Sequence, residues 1–120
     1  MAKLTTALLS VLAMAPYSYA GNLIVKNQCP TTIWCGAAKN DGTFSPSVQV
    51  APGASYTSPK PAYNDGIGAV LKCGQEQDML HPYQLEMAVQ NGRSWLDLSN
   101  LDGSPYHGFH RHAEIAGDLN

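Results

Sequence analysis

The stretch from Tyr83 to Ser99 limits the fold more than any other part of this 120-residue chain. Tyr83, Leu85, Met87 and Val89 alternate with Gln84, Glu86, Ala88 and Gln90. A period of two describes a half-buried β-strand with one wet face, and no helix can satisfy it. Asn91-Gly92 follows, the strongest short hairpin signal, because both residues tolerate the positive φ of a tight two-residue turn. Trp95 to Ser99 then returns as the second strand.

Turn signals punctuate the rest of the chain, and no segment past residue 20 reads as an amphipathic helix. Residues 22–27 read as a first strand and 31–35 as a second, rich in β-branched and aromatic residues. Asn40-Asp41-Gly42 and Ser45-Pro46 read as turns, 47–50 as a short strand, and Ala51-Pro52-Gly53 as a further turn. Residues 57–66 read as loop, 67–72 as a third apolar strand, and 110–115 as a last strand. Short strands at this spacing give an all-β expectation: a small antiparallel sandwich or barrel.

The first 20 residues read differently. Lys3 precedes an apolar run, residues 4–15, which Pro16 ends; Ser18 and Ala20 place small residues where signal peptidase cuts. That is the pattern of a secretory signal peptide, and the run is shorter than the roughly 20 apolar residues a membrane span needs. The expected domains are a leader over 1–20 and one β domain over 21–120, secreted and free of the membrane once the leader is removed. Without Lys3 the domain carries six basic and nine acidic side chains. No basic patch stands out, so nucleic acid is not an expected partner.

Cys29, Cys35 and Cys73 all fall in the exported part. An oxidising compartment favours disulfides in a small domain, and an odd count leaves one thiol over. A Cys35–Cys73 bridge would close a 38-residue loop, worth about 3–4 kcal/mol by loop entropy. Three buried, reduced thiols are the alternative.

Residues 22–37 (NLIVKNQCPTTIWCGA), 50–55 (VAPGAS) and 97–103 (DLSNLDG) resemble, in that order, the opening strands, the Pro-Gly-x-Ser turn and the later Asp-x-Ser-x-x-Asp-Gly segment of thaumatin-like proteins. In size the chain is similar to the small secreted fungal members of that group, the yeast-phase-specific family first named from Blastomyces. The resemblance implies a disulfide-stapled β-sandwich of thaumatin-like type. It implies that Cys29 should pair with a cysteine near the C-terminus; none is there, so the expectation is a domain shortened at that end, or a Cys29 free for an intermolecular disulfide and a dimer.

The resemblance also marks candidate ligand-binding residues. Larger relatives hold β-1,3-glucans in an acidic cleft, three positions of which match Glu86, Asp97 and Asp102. The Asn91-Gly92 turn should bring Asp97 near Glu86, and a carboxylate pair can accept hydrogen bonds from sugar hydroxyls or act as acid and nucleophile in hydrolysis. Against this, Asp97 and Asp102 each read as the start of an Asx-type turn. No catalytic residue is assigned.

His107, His110 and His112 lie within six residues, and imidazoles are common metal ligands. Arg111 interrupts them and no carboxylate or cysteine stands at a metal spacing, so they read as solvated and no cofactor is expected. Trp34 and Tyr83 read as core aromatics. The expected function is non-catalytic binding at a cell wall or cell surface, to a β-glucan-type polysaccharide. A weak β-1,3-glucanase and an extracellular antigen or effector acting on a host protein are the alternatives.

Overall fold

The computed structural model describes residues 20–114. The expected leader lies outside the described residues, apart from Ala20. Among the described residues nine strands form in chain order: β1 Ala20–Gly21, β2 Ile24–Lys26, β3 Ile33–Lys39, β4 Phe44–Val50, β5 Ser55–Thr57, β6 Ala62–Tyr63, β7 Ala69–Gly74, β8 Tyr83–Gln90 and β9 Arg93–Ser99. No helix appears among the described residues. β4, β3, β7, β8 and β9 make one antiparallel sheet in that order, while β1–β6 and β2–β5 are two short antiparallel ribbons. The all-β expectation is met, in a sandwich-like arrangement.

The core lies between one face of the large sheet and the ribbons. On the sheet side, Ile33 and Cys35 of β3 alternate with residues of the other face, as do Ala69, Leu71 and Cys73 of β7. Leu23, Val25, Tyr56 and Ala62 of the ribbon region pack against them. Cys35 and Cys73 stand directly opposite in the β3–β7 ladder and are joined by a disulfide, with Cα atoms 4.2 Å apart. Cys29 remains free and half-buried.

Asn27 holds the approach to β3. Its buried side chain donates to Thr31 O and Val50 O, each at 2.9 Å, and accepts from Cys29 N–H at 2.9 Å. A buried amide is tolerated where its hydrogen-bonding groups are met in this way. At the other end of the chain, Tyr106 is buried in the core and brings residues 104–109 with it. Its hydroxyl has no protein partner, and burial, with Cys29 as a second contributor, raises the phenol above its ordinary pKa.

Several local expectations need correction. Ser45-Pro46 does not turn; both lie inside β4. The ladder explains it. Between Cys35↔Val48 and Ala37↔Ser45, β4 carries one residue more than β3, so a bulge sits at Pro46–Ser47. An edge strand with a bulge is where a residue lacking N–H can be accommodated. Residues 57–66 are not all loop, because Ala62–Tyr63 pairs with Ala20–Gly21. Trp34 is half-buried on the face opposite Cys35, outside the core cluster. Gln84, expected wet, is 6% exposed. Residues 110–114 form no strand; they are exposed, with no neighbouring strand to pair with, and Ile115 lies outside the described residues.

Candidate functional site

The β8–β9 hairpin forms as its sequence requires. Asn91 and Gly92 have φ of 52° and 71°, so both turn residues are left-handed, matching the twist of the flanking strands. From Gln90↔Arg93 to Gln84↔Ser99 the ladder runs for seven pairs without a shift. Its register places Glu86 directly opposite Asp97, and Ala88 opposite Trp95. All four side chains share the sheet face that points away from the core. Cβ atoms of directly opposed residues lie about 4.5–5.5 Å apart, so the two carboxylates stand side by side. Asp97 is therefore a strand residue and starts no turn.

Around this pair the sheet forms a shallow groove of about 440 Å³. Val70 and Ala88 give it an apolar floor, Trp95 a wall that is 54% exposed, and Asn40 one end. Asn40 reaches that place because Gly68 has no side chain: a Cβ there would come within 2.7 Å of the Asn40 amide nitrogen. Sequence reasoning did not find Asn40, Gly68 or Val70. They come from the β3–β4 turn, the residue before β7 and β7 itself, and only the strand order β3-β7-β8-β9 brings them beside the hairpin.

The acidic groups of the domain divide by what they bond. Asp102 Oδ2 accepts from Gln84 Nε2 at 2.8 Å, which ties the turn after β9 to β8. Gly103 packs so closely on the His81 backbone that a Cβ would overlap it, fixing the same turn. Asp41 Oδ1 accepts from the Thr43 hydroxyl at 2.6 Å and the Thr43 N–H at 2.9 Å, and these bonds hold its carboxyl below the ordinary range. Asp65 Oδ1 caps Ile67 N–H. Among the described residues, Glu86 and Asp97 have neither a hydrogen-bonding nor an ion-pair partner; the only ion pair there joins His112 to Glu114 at 3.4 Å.

Two opposed carboxylates without partners repel each other, and the arrangement is eased by donors such as sugar hydroxyls. A flat apolar floor with an exposed indole at its side suits the C–H face of a sugar ring. The structure thus brings Glu86 and Asp97 together. It sets Asp102 one row away, engaged with Gln84.

His107, His110 and His112 are all exposed. No group of three or more His, Cys, Asp or Glu among the described residues is placed to hold a metal ion. A second shallow groove, about 340 Å³, lies between Lys39, Lys60, Tyr63 and Asp41. There Lys39 Nζ sits 4.6 Å from the Tyr63 ring centre and donates to Pro61 O at 3.1 Å, so its principal cation is already engaged.

Residues 10–116 match the family model described as Blastomyces yeast-phase-specific protein (Bys1). A comparison with curated protein sequences gave no match. Among solved structures, the chain is similar in fold to the crystal structure of the protein elicitor MoHrip2 from Magnaporthe oryzae. The TM-score is 0.61 at 19% identity, and the match covers 72% of this chain and 64% of that one.

Proposed function

This chain belongs to the Blastomyces yeast-phase-specific protein family, and on that premise we propose that it is an extracellular, non-catalytic binding protein of thaumatin-like type. In this reading the Glu86–Asp97–Trp95 groove holds a cell-wall or cell-surface polysaccharide, β-glucan first. One observation carries the reading: two directly opposed carboxylates, without partners among the described residues, beside an exposed indole on the regular β8–β9 ladder. The Cys35–Cys73 disulfide supports an oxidising, extracellular setting, and the leader pattern agrees with export. The groove is open, with no enclosed cleft to exclude water, which favours holding a glycan over cleaving one.

The test is retention of the folded protein on insoluble β-1,3-glucan, chitin and cellulose, with reducing sugar measured in the same tubes. Selective retention on glucan, lost in Glu86→Gln/Asp97→Asn and weakened in Trp95→Ala, is the expected result. Retention that survives the double substitution would sink the assignment to this groove. Sugar release that depends on both carboxylates would turn the reading to a weak glucanase.

A second reading, an effector that engages a host protein, draws on the exposed apolar side chains Phe44, Leu80 and Leu101. The fold neighbour described as a protein elicitor supports it by analogy alone. Absence of retention on every polymer would favour it.

A further inference from the structure

The large sheet has two edges, and they are built differently. Along β4, Pro46 and the bulge interrupt the free side of the strand, two devices that blunt an edge against further pairing. Along β9 neither is present. Its seven residues, Arg93–Ser99, contain no proline and no lysine, and the ladder to β8 is regular throughout. Every residue from Arg93 to Leu98 is exposed, and among the described residues no strand lies on the far side. A long regular edge of this kind presents a row of unpaired N–H and C=O groups, a template for one more strand.

The order of side chains along β9 indicates which strand fits. Two copies of one strand that meet antiparallel are related by a two-fold axis, and the axis must pass through some residue. Centred on Asp97, it would oppose two carboxylates. Centred on Leu96, it would set Arg93 against Ser99 and Trp95 against Asp97, leaving both charges without a counterpart. Centred on Trp95, it places Arg93 of each copy directly opposite Asp97 of the other, with the two indoles between them. Symmetry makes that ion pair twice. Arg93, Trp95 and Asp97 all point to the Glu86 face, so each incoming guanidinium also lies beside the Glu86–Asp97 pair, where positive charge is most favoured.

We infer that β9 is a self-association edge: a second copy of this chain pairs with it, antiparallel, in the register centred on Trp95. The two five-stranded sheets then become one continuous sheet carrying both grooves on the same face. One pair of strands buries little beside the roughly 1,200–2,000 Å² of stable interfaces, so the association is reversible and belongs to high micromolar concentrations.

Sedimentation equilibrium of the purified protein tests the inference without reference to any glycan. A parallel non-reducing gel separates this association from dimers linked through Cys29. The wild type is expected to dimerise with concentration. Arg93→Glu and Asp97→Arg, each alone, replace two attractive pairs by two repulsive ones and should weaken the dimer by about tenfold or more. An equimolar mixture of the two variants restores both attractive pairs, and so does the double variant R93E/D97R; both should dimerise at wild-type strength. A wild type that stays monomeric through about 1 mM, above the expected range, overturns the inference. Single variants that dimerise undiminished overturn it as well. If a single variant fails to fold by circular dichroism, the double variant decides: a dimer of wild-type strength supports the register, and a monomer refutes it.

Discussion

Two hairpins end the large sheet, and they are secured by different means. The β3–β4 hairpin is clamped from three sides: the disulfide from β3 to β7, the ribbons over Ile33 and Cys35, and the Asn27 amide bonding Val50 O at the end of β4. In β8–β9, strand β9 pairs among the described residues with β8 alone, across the Asn91-Gly92 turn, and its inward-facing Leu96 and Leu98 are still 39% and 42% exposed. The first hairpin contributes buried area through β3. The second presents exposed chemistry and little buried area. The candidate site therefore sits where substitution is cheap for the fold.

That division can be broken or sharpened by experiment. The largest expected effect is at the clamped end: Cys35→Ala/Cys73→Ala should cost about 3–4 kcal/mol of stability through the freed 38-residue loop, read from denaturant midpoints. Next, Ile33→Ala should cost about 3 kcal/mol, since its side chain is 4% exposed, whereas Leu96→Ala should cost about 1 kcal/mol or less. Equal losses at the two positions would erase the contrast. Glu86→Gln removes one of two opposed like charges, so stability should hold or rise, by about a few tenths of a kcal/mol at most, while glucan retention falls. A clear loss of stability there would make the carboxylate structural.

The smallest effect concerns Asp41 in the β3–β4 turn. Its folded pKa is lowered by the Thr43 hydroxyl and N–H, so its contribution is present above the ordinary aspartate value of about 3.9 and is lost as pH falls through the depressed one. Stability curves of wild type and Asp41→Asn should therefore differ near about pH 6 and converge toward about pH 2.

Legibility in the sequence follows the range of the forces involved. The β8–β9 hairpin could be read in outline because alternation and turn chemistry are local, and with it the approach of Asp97 to Glu86, although Asp97 read as the start of a turn and lies mid-strand. The Cys35–Cys73 bridge was one of the open pairings, and it forms where β3 and β7 place the two residues opposite each other. The first half of β4 could not be read, because Pro46 argues for a turn until the neighbouring strand shows a bulge, whereas 47–50 reads as strand. Nor could the end of β3: Gly36-Ala37-Ala38 has little strand propensity and is extended because two neighbours bond it. Gln84 looked solvated by parity, yet Asp102 from beyond β9 covers it. The groove floor was invisible for the same reason, since Val70 meets the hairpin only through the strand order.

The tight turn at Asn91-Gly92 also has a consequence in time. β8 and β9 meet across two residues, while Cys35 must find Cys73 across 38. Hairpins close in about 1–10 μs, whereas disulfides take seconds to hours to form. Pairing across the Asn91-Gly92 turn is thus sampled many times before the disulfide closes, and β8 and β9 find their register without help from the Cys35–Cys73 bridge.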